Sequence, residues 1–171
     1  SQENSKTEMW KGNISQFEKY IDTKTETDFE GIWETGSYKI GIKKEGIDYV
    51  GFIIEADVDG WRDQGQVKLK FEQNGDKLKS TYYMRDYSID SSENPQLLGS
   101  NYLQVGRWTL KRLKPVFPGD SMVDNYFKSV DSSEPYLEEL NATTLYLRIP
   151  SFEYENRKAI NEVIAENKDK I

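Results

Sequence analysis

Between Phe29 and Leu113 apolar and polar residues alternate with a period of two, and this constrains the fold more than any other feature of the chain. Tyr38, Ile40 and Ile42 alternate with Ser37, Lys39 and Gly41, and Val67, Leu69 and Phe71 alternate with Lys68, Lys70 and Glu72. Ile47 to Ile54 is a continuous β-favouring run, and Asn74-Gly75-Asp76 turns the chain before Leu78 to Met84. Tyr102 to Val105 and Trp108 to Leu110 follow a Ser/Asn/Pro-rich loop at Ser91 to Pro95. About seven or eight short strands result, with turn signals roughly every 8–12 residues. Such spacing predicts a mainly β chain with a closed antiparallel sheet or a sandwich. The linear hairpin order favours an up-and-down barrel over residues 29–114.

The flanks read differently. Met9, Trp10, Ile14, Phe17, Tyr20 and Ile21 are spaced for one face of a short helix, and Asp22 to Asp28 reads as a linker, so 1–28 forms an N-terminal appendage. Pro115, Pro118 and Gly119 break the pattern after Lys114. Met122 to Val130 has helical spacing with Ser121 as N-cap, and Asp131 to Pro135 is a turn. Thr143 to Ile149 is a strand, and Ser151 to Ile171 a helix with Ala159, Ile160, Val163 and Ile164 on one stripe. That last β–α piece has no second strand to pack on, so residues 115–171 (helix, strand, helix) read as the partial start of a larger domain.

Chemistry is narrowed by what the 171 residues omit. There is neither histidine nor cysteine, which excludes a Ser-His-Asp triad, cysteine nucleophiles, imidazole and thiolate metal sites, and disulfides. With 23 basic and 30 acidic residues the net charge is −7, which disfavours a phosphate backbone as partner. The densest basic run, Arg107, Lys111, Arg112 and Lys114, reads as the solvated face of a strand. No apolar stretch approaches the length of a membrane span.

The remaining candidates have ordinary readings. Asp57, Asp59 and Asp63 around Gly60 lack the ligand order of a calcium loop and read as a long hairpin connection. Ser129, Ser132 and Ser133 lie near Lys128 and Glu134 without an oxyanion cradle, and Ser151 reads as a helix cap. Asn13 and Asn141 open glycosylation sequons, which matter only in a secretory setting. Tyr38, Tyr49, Tyr82, Tyr83, Tyr87 and Tyr102 read as half-buried strand residues of a filled barrel rather than a ligand lining. No catalytic, cofactor-binding or metal-binding residue is assigned, and no cofactor is expected.

Two resemblances go further. Gly31-Ile32-Trp33 opening the first strand, with Arg112 after the last, resembles lipocalin-like barrels, where a tryptophan plugs one end beneath a stacked arginine. Thr143-Thr-Leu-Tyr-Leu-Arg-Ile-Pro-Ser-Phe152, with a helix ending Glu166-Asn-Lys-Asp-Lys-Ile171, resembles the opening of the catalytic domain in tail-specific (C-terminal processing) serine peptidases, relatives of the tricorn core. Asp28-Phe-Glu-Gly-Ile-Trp-Glu34, Tyr38-Lys-Ile-Gly-Ile42, Tyr49-Val-Gly-Phe-Ile53 and Trp61 with Gly65-Gln-Val-Lys68 resemble the β-rich N-terminal region of Bacteroidetes-type members.

This resemblance implies a non-catalytic accessory domain of a serine-type peptidase, exported to the periplasm or cell surface. Its partners would be the rest of the catalytic domain and a protein or peptide substrate, which the barrel helps to position. The family's nucleophile segment has no counterpart before Ile171, so the chain by itself is expected to be inactive. The alternative is a free-standing lipocalin-like binder of a small apolar ligand.

Overall fold

A computed structural model describes residues 7–132, 134–150 and 156–170. The chain divides into two compact units, Ser1–Asp120 and Ser121–Ile171.

The first unit is a curled antiparallel sheet of nine strands. These are β1 (Gly31–Thr35), β2 (Tyr38–Glu45), β3 (Asp48–Ala56), β4 (Val67–Asn74), β5 (Lys77–Tyr83), β6 (Ile89–Glu93), β7 (Gln96–Leu98), β8 (Tyr102–Val105) and β9 (Trp108–Lys114). Their order is β6-β5-β4-β3-β2-β1-β9-β8-β7, so the chain meanders and β1 meets β9 at Trp33↔Arg112. The two edge strands, β6 and β7, are consecutive in sequence and joined only by Asn94 and Pro95. Two residues span at most about 10 Å, so the sheet has to curl until its ends meet there. Side chains bind the seam elsewhere. Trp108 Nε1 donates to Asp90 (3.1 Å), Arg107 pairs with the same carboxylate (3.1 Å), and Trp108 stacks on Tyr82 (5.3 Å). β6 runs into the stretch Ser91 to Pro95 that the sequence reads as loop, and β7 follows that stretch directly, because serines, asparagine and proline hide strands that pair on one side only.

Period two separates two apolar clusters. Trp33, Ile40, Ile42, Ile53, Leu69, Phe71, Leu103 and Leu110 fill the inside of the curl. Ile32, Val50, Phe52, Ile54 and Val67 point outward, where Phe17 and Ile21 of helix α1 (Ile14–Asp22) cover them. Burial on both faces explains why Ile47 to Ile54 does not alternate. Gly41 permits the approach, since a Cβ there would lie 2.7 Å from the Phe17 ring and 2.8 Å from Phe52.

Helix α1 begins later than the apolar spacing suggests. Asn13 caps it, accepting from the Gln16 N–H (2.9 Å). Upstream, Trp10 lies flat on Phe52 (3.8 Å between centroids), donates from its ring to Glu45 (2.8 Å), and donates its backbone N–H to Gly65 O (2.7 Å). A ring laid on the sheet cannot also sit on a helix face, so Met9 and Trp10 are extended.

The segment after α1 is anchored by a buried carboxylate. Glu30 accepts from Tyr20 (2.7 Å), Lys24 (3.2 Å), Lys43 (3.0 Å) and the Lys44 backbone N–H (3.0 Å). Burial by itself would raise its pKa, but the Lys44 N–H, Tyr20 and the two lysines outweigh it and hold it at about 2. A carboxylate so depressed stabilises the fold above its unfolded pKa near 4.5, and that support is lost as pH falls through about 2. Acid titration of the chain followed by circular dichroism should therefore show a loss between pH 4.5 and 2 that Glu30→Gln lacks, worth about 3 kcal/mol.

One end of the barrel is plugged. The Arg112 guanidinium lies 4.1 Å from the centroid of the fully buried Trp33 ring. It donates to the carbonyls of Ser100 (2.8 Å), Glu30 (2.8 Å) and Asp28 (2.7 Å), and Trp33 Nε1 donates to Phe29 O (3.0 Å). Arg112 therefore leaves the solvated basic run predicted for it. It is 4 % exposed, whereas Lys111 faces solvent and Lys114 pairs with Asp22 (3.0 Å). Gly31 is required beside it, because a Cβ would lie 2.6 Å from Lys114 O and 2.7 Å from the Arg112 guanidinium. Gly31→Ala should lower stability by roughly 1–3 kcal/mol in urea melts, the usual cost of overpacking.

The boundary after the barrel lies at Asp120 rather than Lys114. Asn101 holds both the N–H and the carbonyl of Phe117, whose ring lies 5.0 Å from Arg112, so residues 115–117 belong to the barrel.

In the second unit α2 (Ser121–Asp131) precedes an antiparallel hairpin of β10 (Tyr136–Asn141) and β11 (Thr144–Arg148), then α3 (Asn156–Glu166). β10 is the addition here: the strand read from the sequence has a neighbour upstream, and α3 lies against β10. The stretch 151–155, including the Ser151 cap, and Ser133 lie outside the described residues.

Candidate functional site

Antiparallel order puts the end of β3, the starts of β2, β4 and β9, and the end of β5 opposite the Arg112 plug. A pocket of about 260 Å³ opens there. Tyr38, Tyr82 and Trp108 give it aromatic walls, Val58 and Met84 add aliphatic ones, and Ser37 and Arg85 contribute polar groups. Lys68 completes the lining, and no carboxylate is among these residues.

Lys68 is turned inward by a bulge. β4 advances two residues, Leu69 to Val67, while β3 advances one, from Gly51 to Phe52. The extra residue is Lys68, which therefore shares the inner side with Leu69 while Val67 switches to the outer cluster. The side chain is buried at 1 % exposure, its ammonium 3.9 Å from the Trp61 centroid, 4.0 Å from Tyr38 and 5.1 Å from Tyr82. Three ring faces hold the cation electrostatically. Among the described residues no carboxylate or other acceptor bonds to it, and burial pushes its pKa down to about 7.

The cage is rigidly supported. Trp61 Nε1 donates to Arg85 O (3.0 Å), tying the 57–65 connection to the turn after β5. Buried Gln66 donates to Gly60 O (2.9 Å) and accepts from the Asp63 N–H (3.2 Å), and Tyr87 OH also donates to Gly60 O. Asp57 and Asp59 of that connection pair with Arg62 (3.1 and 3.3 Å). Their charges are thus turned to a surface cation.

No family model, curated protein or solved structure matches the chain. Its function has to be argued from this geometry.

Of the six tyrosines singled out from sequence, Tyr38 and Tyr82 line the pocket, Tyr49 packs edge-on against Phe29 (5.3 Å), and Tyr87 clamps the Gly60 loop. Tyr83 and Tyr102 are half-buried in strands. Ser129 donates to Tyr126 O (2.7 Å) and Ser132 to Glu134 O (2.7 Å), while Lys128 pairs with Glu138 (3.3 Å), so neither serine is paired with a base. Asn141 accepts from Thr143 in the β10–β11 turn. Lys68 was not singled out. In the sequence it stands two residues from Lys70 in the same alternation, and nothing local separates the buried lysine from the half-exposed one.

Proposed function

We propose that the chain is a binding module whose barrel takes a small ligand at the end opposite Arg112. The observation that supports this most directly is the pocket itself: a half-open, aromatic-walled space of about 260 Å³ in a barrel otherwise filled by side chains. Concave, mostly apolar sites with a few placed polar groups are where small molecules bind. The volume suits a ligand of about the size of a single ring or a short alkyl chain, smaller than a lipocalin's usual interior ligand would need. A fragment set of such compounds should shift the Val58 and Met84 methyl resonances, and Val58→Phe, which fills the space, should abolish the Met84 shift. If no fragment moves those methyls up to its solubility limit, the chain is not a binder at this site.

A second reading makes the same barrel an exported accessory domain of a tail-specific serine peptidase. What supports it is the order of the resembling segments between 28 and 171, with the Thr144–Arg148 strand lying in the second compact unit. A chain extended past Ile171 should then hydrolyse labelled casein, and removing 29–114 should lower its rate on proteins more than on short peptides. Equal loss on both, or no hydrolysis at all, would count against it.

A further inference from the structure

We infer that the ligand of this pocket carries a carboxylate, received by Lys68 inside the cage and Arg85 beside it, with an aryl or short alkyl body against Val58, Met84 and Trp108. This rests on the binding reading above and specifies its ligand class.

Charge points the same way from several directions. The chain is acidic overall, yet this pocket gathers two cations and no acid. Several other lysines of this unit have carboxylate partners: Lys24 and Lys43 on Glu30, Lys70 on Glu8, Lys77 on Glu93, Lys114 on Asp22. Lys68 is the buried lysine among the described residues, and it has none. A protonated amine offers three donors, and ring faces satisfy its charge without supplying lone pairs. Buried donors left in that state are costly, and a charged acceptor restores what they lose on desolvation. A carboxylate oxygen supplies that acceptor, and the second oxygen is free for the guanidinium.

The apolar walls fix the rest of the molecule. An inorganic anion would leave Val58, Met84 and Trp108 against water, whereas a ring or chain of a few carbons covers them. One buried cation matches one negative charge. The titratable groups facing the amine are Tyr38 from β2 and Tyr82 from β5, and Arg85 from the turn after β5 lies on the same pocket lining. Burial raises both phenols, so they stay neutral and the carboxylate meets no competing anion.

The test uses the whole chain with phenylacetate and hexanoate as probes, beside phenylacetamide and hexanamide. Binding is read from the Val58 and Met84 methyls, and the charge of Lys68 from its 13Cε shift across pH. The carboxylates are expected to bind roughly 10–100-fold more tightly than the amides, the span of a hydrogen bond to a charged group. In Lys68→Met that preference should collapse while amide binding persists, and Arg85→Gln should weaken it less. In the unaltered protein, saturating phenylacetate should move the Lys68 titration upward, a readout that does not depend on any variant folding. Acids and amides binding alike, or a Lys68 titration indifferent to phenylacetate, would overturn the inference and leave the binding reading standing. If none of the four binds, both fall.

Discussion

Arg112→Met is expected to lower the stability of the barrel by about 4 kcal/mol, the largest effect of any single substitution outside the apolar core. The guanidinium bonds three backbone carbonyls from two separate segments, Asp28 and Glu30 before β1 and Ser100 before β8, and roofs Trp33. A methionine leaves those acceptors buried without donors, at about 1–3 kcal/mol each when water cannot reach them. Domains of this size hold about 5–15 kcal/mol in total, so the variant should melt at much lower urea. Arg112→Lys is expected to recover less than half of the loss. A lysine keeps the charge but has no planar fork to span carbonyls on two segments. Urea midpoints for the three proteins decide the point. A lysine variant as stable as the parent would mean that charge over Trp33, and not the fork, holds this end together.

Lys68→Met should act in the opposite direction. The lysine pKa falls from 10.5 in the unfolded chain to about 7 in the native one. Between these values the unfolded chain holds a proton that the native state does not, so native stability rises with pH through this window. Below pH 7 the native state carries the whole cost of a buried ammonium, and above 10.5 none of it. A methionine of similar length titrates nowhere and keeps contact with the rings. It should therefore stabilise the chain by on the order of 5 kcal/mol at pH 6, and the gain should shrink as pH approaches 10. Paired urea melts at the two pH values test this, since every other titrating group cancels in the difference. A gain that is the same at both would show that Lys68 is not desolvated in the native state.

A stabilising Lys68→Met would bear directly on function. A protein that retains a residue against its own stability does so at sites of use, where strain and desolvation are part of the task. The carboxylate probes and the pH series thus examine one amine from two sides. Ligand binding supplies the acceptor, and methionine removes the need for it.

Much of this architecture is legible in the sequence, and for identifiable reasons. Side-chain alternation follows from strand geometry alone, so Tyr38–Ile42 and Val67–Phe71 declare strands without reference to neighbours. Short glycine-containing turns between them enforce antiparallel neighbours, and a run of such hairpins can only meander. The pairing of Trp33 with Arg112 is anticipated through the resemblance to lipocalin-like barrels, and the β1–β9 ladder brings the two residues together. Burial of the arginine is not, because a guanidinium in a row of Arg107, Lys111 and Lys114 looks like the rest of the row. Its separation from them depends on carbonyls from residues 28, 30 and 100 that converge only after the sheet curls.

The same limit applies more strongly to the pocket. Whether Lys68 faces in or out is decided by one slipped residue in the β3–β4 ladder, and a slip of one reverses every face beyond it. The bulge is held by the Gly65–Gln66 backbone bonding Ile53 and by Trp10 and Glu8 on the outside, contacts that join residues far apart in the chain. Local preference set the strands, the turns and the barrel-like class, because each depends on a few consecutive residues. Tertiary structure alone turned Lys68 inward and Arg112 onto the backbone carbonyls, because the free energy of a buried cation is set by the atoms around it, and those arrive from segments far apart in the chain.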